Sequence, residues 1–253
     1  MIARITLAET RAELTKQVRL PAYVIPTLAF PLAFYTFFGL AMGGASRGVG
    51  ATSIATYLLA TYGAFGVVGC ALFGFGVSVA VERGQGWLLV KRASPMPPIA
   101  YVLAKMFTAM AFAATVVVLL CVLGAAFGGV RLAPVTWTEL VLALVLGAIP
   151  FCALGLAIGS VAGPNSAPAL VNLVYLPMSF ASGLWIPIEM LPPAVAHVAP
   201  FLPTYHLGQL ALGTLGAGHG SALTHVAVLA AWAVAGVAAA AYGLRRDEGR
   251  TYG

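Results

Sequence analysis

The sequence predicts an all-α integral membrane protein of six transmembrane helices, with an N-terminal amphipathic interfacial helix and a re-entrant, short-helix segment before the last span. Three observations carry this expectation. The 253 residues are 61% hydrophobic and only 8% charged, with a mean hydropathy of +0.97, against roughly 25% charged residues in soluble domains. Several apolar stretches exceed the ~18 residues that mark a spanning candidate. The lysines and arginines cluster in the polar segments that would lie on one face of a membrane.

Apolar runs between charged or Pro/Gly-rich breaks place the spans at 24–42, 54–81, 101–128, 140–161, 167–187 and 222–244. The whole chain, 1–253, therefore reads as one transmembrane domain. Polar residues precede the first run, and that run is too long for a signal-peptide core, so no cleaved leader is expected. Within 1–20, Ile5, Leu7, Ala8, Ala12, Leu14 and Val18 fall on one half of a helical wheel, and Glu9, Thr10, Glu13, Lys16 and Gln17 on the other. This segment is expected to lie along the membrane surface, with Arg4, Arg11 and Arg19 reaching up to phosphates from the apolar half. Segment 82–98 forms a loop. Segment 188–220 is too rich in proline and too polar to span, so it is read as an external hairpin with short interfacial helices at 195–203 and 205–215.

Orientation follows from the basic residues. With both termini on one side, Arg4, Arg11, Lys16, Arg19, Arg83, Lys91, Arg92, Lys105, Arg245, Arg246 and Arg250 share a face, leaving only Arg47 and Arg131 opposite. The positive-inside rule then puts both termini and the 83–105 connection in the cytoplasm, against anionic membrane lipid. The charges are spread over three membrane-flanking segments and form no single groove, so nucleic acid is not an expected partner.

Several chemistries are missing. None of the three lysines follows a glycine, so the G-x-x-x-x-G-K-[ST] phosphate loop is absent. His197, His206, His219 and His225 are not at i, i+4 spacing, so no metal site is expected and they are read as surface or interfacial side chains. Gly44, Ser46 and Gly48 match a G-x-S-x-G elbow. They follow a spanning helix, however, and the single aspartate, Asp247, lies in the opposite-facing tail, so a hydrolase is not expected. Cys70, Cys121 and Cys152 sit inside apolar runs as small packing residues. Gly155 with Gly159, Gly124 with Gly128, and Gly63, Gly66 and Gly69 stand at spacings that let helix backbones approach.

Segment 81–98, V-E-R-G-Q-G-W-L-L-V-K-R-A-S-P-M-P-P, resembles the first cytoplasmic loop of type-2 ATP-binding-cassette exporter permeases (ABC-2 type transporter permeases). Those proteins close the second helix with Glu-Arg, then place a glycine, a short apolar helix and a serine or threonine before proline. Glu82, Arg83, Gly86, Leu88, Leu89, Ser94 and Pro95 match, and Gly84 and Trp87 stand where many members have glutamate and threonine. Ser182, Gly183, Pro187, Leu191, Pro192, Pro193, Pro200, Pro203 and Tyr205 match the family's S-G-x-x-x-P signature and its proline-punctuated stretch. The resemblance covers essentially the whole chain. It implies a permease of the bacterial inner (plasma) membrane that pairs with a second copy of itself and with two separate ATPase subunits, which bind the ATP and Mg. This chain itself would bind no cofactor and would not be an enzyme.

In the loop, Trp87, Leu88 and Leu89 are expected to anchor the ATPase, with Glu82, Arg83, Lys91 and Arg92 as orienting charges and Gly86 opening the short helix. In the fifth span, Asn172, Tyr175, Ser179 and Ser182 recur on one side of a helix, a stripe expected to face the substrate path, with Pro177 beside it as a hinge. The expected cargo is hydrophobic or amphipathic, a drug or a lipid. A polysaccharide or lipid-linked glycan is the alternative, disfavoured because stacked aromatics are few on this span. A secondary carrier would place ionisable residues at the bilayer midplane, and none is visible there.

Overall fold

The computed structural model describes residues 2–43, 48–49 and 52–248. The expected positions Gly44, Ser46, Arg47 and Arg250 lie outside these residues, as do the side chains of Leu89, Arg92, Arg245, Arg246 and Asp247. Most of the described residues are helical, joined by short turns and by a two-residue antiparallel pairing of β1 (Gly48–Val49) with β2 (Thr52–Ser53).

Helix α1 (Ile2–Val18) leads into α2 (Pro21–Phe34), which starts on a proline at its first turn, where no amide partner is lost, and passes into a π-helical stretch, Tyr35–Gly43. Ser53 caps α3 (Ile54–Ala71) by accepting from the Thr56 amide at 3.2 Å. The helix continues through a π-helical turn, Leu72–Val77, into α4 (Ser78–Gly84). Ile54–Gly84 is the most deeply buried of the spans. Its 31 residues reach about 46 Å at ~1.5 Å per residue, longer than the ~30 Å hydrocarbon core of a bilayer. Next come α5 (Trp87–Ala93), α6 (Pro98–Phe127), α7 (Pro134–Leu146) and α8 (Ile149–Val161), the last two forming one span broken at Gly147. The chain then forms α9 (Ala167–Ala181), α10 (Pro193–Val198), α11 (Pro203–Thr214) and α12 (Ala222–Glu248).

Five helices are long and apolar enough to cross a membrane: Pro21–Ala41, Ile54–Gly84, Pro98–Phe127, Pro134–Val161 and Ala222–Leu244. The fourth starts six residues before the expected 140. The segment read as a fifth span, 167–187, is helical only to Ala181, and its 15 residues span about 22 Å. Its end has a local cause. Gly183 takes φ +75°, the amides of Gly183 and Leu184 turn back to Phe180 O and Ser179 O, and the Ser182 hydroxyl donates to Met178 O at 2.7 Å.

Helix α11 packs one face into the bundle: Thr204, His206, Leu207, Gln209 and Ala211 are buried against neighbouring helices. In α1 the polar half faces protein. Thr6, Glu13 and Gln17 are buried, while Ile2, Leu7 and Val18 are exposed alongside Arg4, Arg11 and Arg19.

The bundle packs tightly where glycines allow. A Cβ at Gly159 would sit 2.6 Å from Gly76 O, and one at Gly155 would meet Ala71 O and Gly76 N at 3.1 Å. Span 2 and α8 thus cross backbone to backbone.

Candidate functional site

The charges at the C-terminal end of span 2 (Ile54–Gly84) converge on one cluster. Lys105, on α6, has a fully buried side chain and donates to Glu82 Oε1 at 2.9 Å, to Glu13 Oε2 at 3.1 Å and to Ser78 Oγ at 3.1 Å. Tyr101, one turn earlier on α6, donates to Glu82 Oε2 at 2.7 Å. From α5, Lys91 pairs with Glu9 Oε1 at 2.5 Å and Glu13 Oε1 at 3.5 Å and lies over the Tyr101 ring, 4.5 Å from its centroid. Lys16 also pairs with Glu82, and lies 3.7 Å from Glu13.

All three lysines of the chain meet three carboxylates here, Glu9, Glu13 and Glu82. Charges balance, so each buried ion has a partner and the desolvation cost is offset. Burial opposes the charge on Lys91, but its hydrogen bond to Glu9 and the fields of Glu82, Glu9 and Glu13 outweigh it and raise its pKa. The cluster ties together α1, the end of span 2, α5 and the start of α6. Arg83 adds a bond from its guanidinium to Ala162 O at 2.7 Å, at the C-terminal end of α8, where a cation suits the helix dipole.

Of the expected orienting charges, Glu82 therefore points inward, 4% exposed, and Arg83 reaches to α8. Gly86 sits at φ +76° with open space where a Cβ would stand, so backbone conformation alone favours glycine as the chain turns into α5. Trp87 is 53% exposed, whereas Leu88 packs against the core. Val90, one turn from Trp87 and 59% exposed, is the second apolar residue on that outer face and was not singled out by the sequence reading.

A groove of about 760 Å³ opens beside this cluster, between α2, span 2 and α9. Gln17, Lys16 and Ser78 stand at its polar end, and Asn172, Tyr175 and Trp185 line it further along. The stripe expected on α9 divides. Asn172 is exposed at the groove; Tyr175 lines it while donating to Phe65 O at 2.9 Å. Ser179 is fully buried, and its hydroxyl has no hydrogen-bond partner among the described residues; Ser182 shares a hydrogen bond with Thr204 of α11. Pro177 stands within α9, which stays helical through it.

Aromatic rings missing from α9 come from elsewhere: Tyr23, Phe30 and Phe34 of α2, Phe65 and Phe73 of span 2, and Trp185. Their faces are largely turned on one another. Phe65 stacks on Tyr175 at 4.8 Å and 12°, Phe34 packs on Trp185 at 5.6 Å, and Phe73 meets Tyr175 edge-on at 6.0 Å.

The site is thus a charge-balanced cluster at one end of a bundle of apolar helices, beside a largely apolar groove. The family model of the ABC-2 type transporter matches residues 6–215, and the chain belongs to that family. It is also similar to the "Putative transport permease YvfS" of Bacillus subtilis (strain 168), at 28% identity over 198 residues, 78% of this chain and 80% of the relative. The protein is thus the membrane permease of an ABC transporter.

Proposed function

We propose that this permease is the membrane half of an ATP-driven exporter that moves a hydrophobic or amphipathic molecule, a drug or a lipid, out of the cytoplasm or the inner leaflet. ATP and Mg are bound by separate ATPase subunits, and two copies of the permease work as a pair in a bacterial inner membrane. Both termini are cytoplasmic, α1 lies at the interface with its apolar side in lipid, and α9 completes a sixth crossing by virtue of the turn and short helices that follow it.

The observation that carries this reading is the ion cluster. A short helix with an exposed Trp87–Val90 face is joined through Lys91 to α1 and, via Glu13 and Glu82, to α6 and span 2, which also lines the groove. Movement of α5 by a docked ATPase would reach the groove through these bonds. The groove favours an amphiphile: its lining is predominantly apolar, its aromatic faces are mostly occupied by one another, and its polar groups sit mainly at one end. A glycan needs open ring faces and many hydrogen-bond partners along the path.

Trp87→Ala with Val90→Ala tests the coupling. Membrane abundance should hold while ATPase co-purification and export fall together. Export at the wild-type rate would remove α5 from the coupling route.

A further inference from the structure

His206 of α11 and His225 of α12 are both buried, 4% and 5% exposed, contrary to the surface placement the sequence suggested. Their Nδ1 atoms lie 2.8 Å apart. The other ring nitrogens are committed: His206 Nε2 is 2.9 Å from Pro200 O, and His225 Nε2 is 2.7 Å from His219 O. A carbonyl oxygen only accepts, so both Nε2 atoms carry hydrogen. A neutral imidazole has one N–H, which would leave two bare Nδ1 lone pairs facing each other at hydrogen-bond distance. That contact is repulsive unless a third N–H lies between them.

We propose that His206 and His225 form a proton-binding site, holding one shared proton between their Nδ1 atoms and thereby clamping α11 to the start of α12. Among the described residues no third histidine, cysteine or carboxylate completes a metal site here, so the ligand is the proton. Burial, opposed by the Pro200 carbonyl and reinforced by His225, lowers the His206 pKa.

The nearby titratable groups are Tyr205, 5.3 Å from the His206 ring and 6.2 Å from that of His225, and His219, which lies 3.9 Å from Glu189. Tyr57 at the head of span 2 feels the charges of Glu189 and Tyr205. Among the described residues no carboxylate pairs with either buried ring. Both rings also sit near the N-terminal ends of their helices, where the dipole opposes positive charge. The proton is therefore held by hydrogen-bond geometry alone, and rising pH releases it.

The consequence reaches the groove. Two residues before His206, Thr204 shares a hydrogen bond with Ser182 at the end of α9, so loosening α11 loosens the helix that carries Asn172 and Tyr175. The site is a pH-sensitive clamp on that wall, and its existence does not depend on the transported substrate.

While bound, the shared proton replaces a contact between two lone pairs with an N–H···N hydrogen bond, so the folded state gains stability while the pair holds it and loses that contribution as pH rises and the proton leaves. A second proton would set N–H against N–H, so stability also falls on the acid side. Thermal unfolding of the full-length protein in lipid nanodiscs between pH 5 and 9 should give a bell-shaped profile, the alkaline limb falling by about 3–5 °C per pH unit. His225→Asn supplies an amide N–H to His206 Nδ1 without a titrating proton and should abolish that limb. A limb unchanged in His225→Asn, or absent from the wild type, overturns the proposal. Independently of any variant's folding, ¹⁵N NMR of the histidine-labelled wild type at pH 7 should show one bare and three protonated nitrogens in the pair. Two bare Nδ1 atoms overturn it.

Discussion

Replacing Lys105 by methionine removes the cation on which the cluster turns. The side chain is fully buried, with two carboxylates at 2.9 and 3.1 Å, so the change leaves three carboxylates facing two lysines, with Glu82 and Glu13 almost wholly shielded from water. Breaking a buried pair from one side costs about 3–5 kcal/mol. At about 2–4 °C per kcal/mol for a chain of this size, the melting temperature should drop by roughly 6–20 °C. Lys16, whose side chain is 45% exposed, gives the contrast: Lys16→Ala should cost under about 1 kcal/mol. Lys105→Met combined with Glu13→Gln restores charge balance and should recover part of the loss, a coupling of at least about 1 kcal/mol in a double-mutant cycle. The assay is thermal unfolding in detergent, followed by size-exclusion chromatography. A Lys105→Met cost below about 1 kcal/mol, or strict additivity with Glu13→Gln, would refute the reasoning.

Other expectations follow from individual positions. Gly159→Val drives a side chain onto the Gly76 carbonyl and should cost several kcal/mol, whereas Gly213→Ala, with open space around it, should be neutral to slightly stabilising; melting temperatures separate the two. Gly86→Ala forces a Cβ into left-handed backbone at about 1–2 kcal/mol, and should weaken ATPase co-purification more than global stability. Asn172→Leu should alter export selectivity at normal abundance, whereas Ser179→Ala removes an unpartnered buried hydroxyl and should leave selectivity unchanged, as a panel of amphiphilic dyes would show. Lys91 has a raised pKa, so its contribution persists at every pH below the ordinary lysine value near ~10.4, and Lys91→Met should shift stability equally at pH 6 and pH 9.

The sequence made long apolar helices legible because lipid imposes long apolar runs, and the five long helices overlap five of those runs. The end of α9 was not legible. Apolar residues continue to Pro187, and only the left-handed Gly183 with the Ser182 hydroxyl turns the chain at Ala181. Gly86 and Trp87 were singled out through the resemblance of segment 81–98 to the family loop, which carries no sign of the inward turn of Glu82. Its partner Lys105 lies 23 residues away, and Glu13 is 92 residues from Lys105, beyond any helical period. One signal was available: a lysine inside an apolar helix needs a carboxylate, and the polar half of α1 offered Glu9 and Glu13. The aromatic lining of the groove was missed for the same reason, since α2 and span 2 supply the rings that α9 lacks.

The central claim is that this permease moves an amphiphile only when an ATPase drives it. Its most direct test is reconstitution of the permease with its ATPase partner in proteoliposomes, following translocation of a headgroup-labelled amphiphile with and without ATP. Translocation should require both ATP and the ATPase, and should cease in the Trp87→Ala, Val90→Ala permease although the protein is present in the membrane. Transport by the permease alone under an imposed proton or sodium gradient, with no response to ATP, would contradict the account.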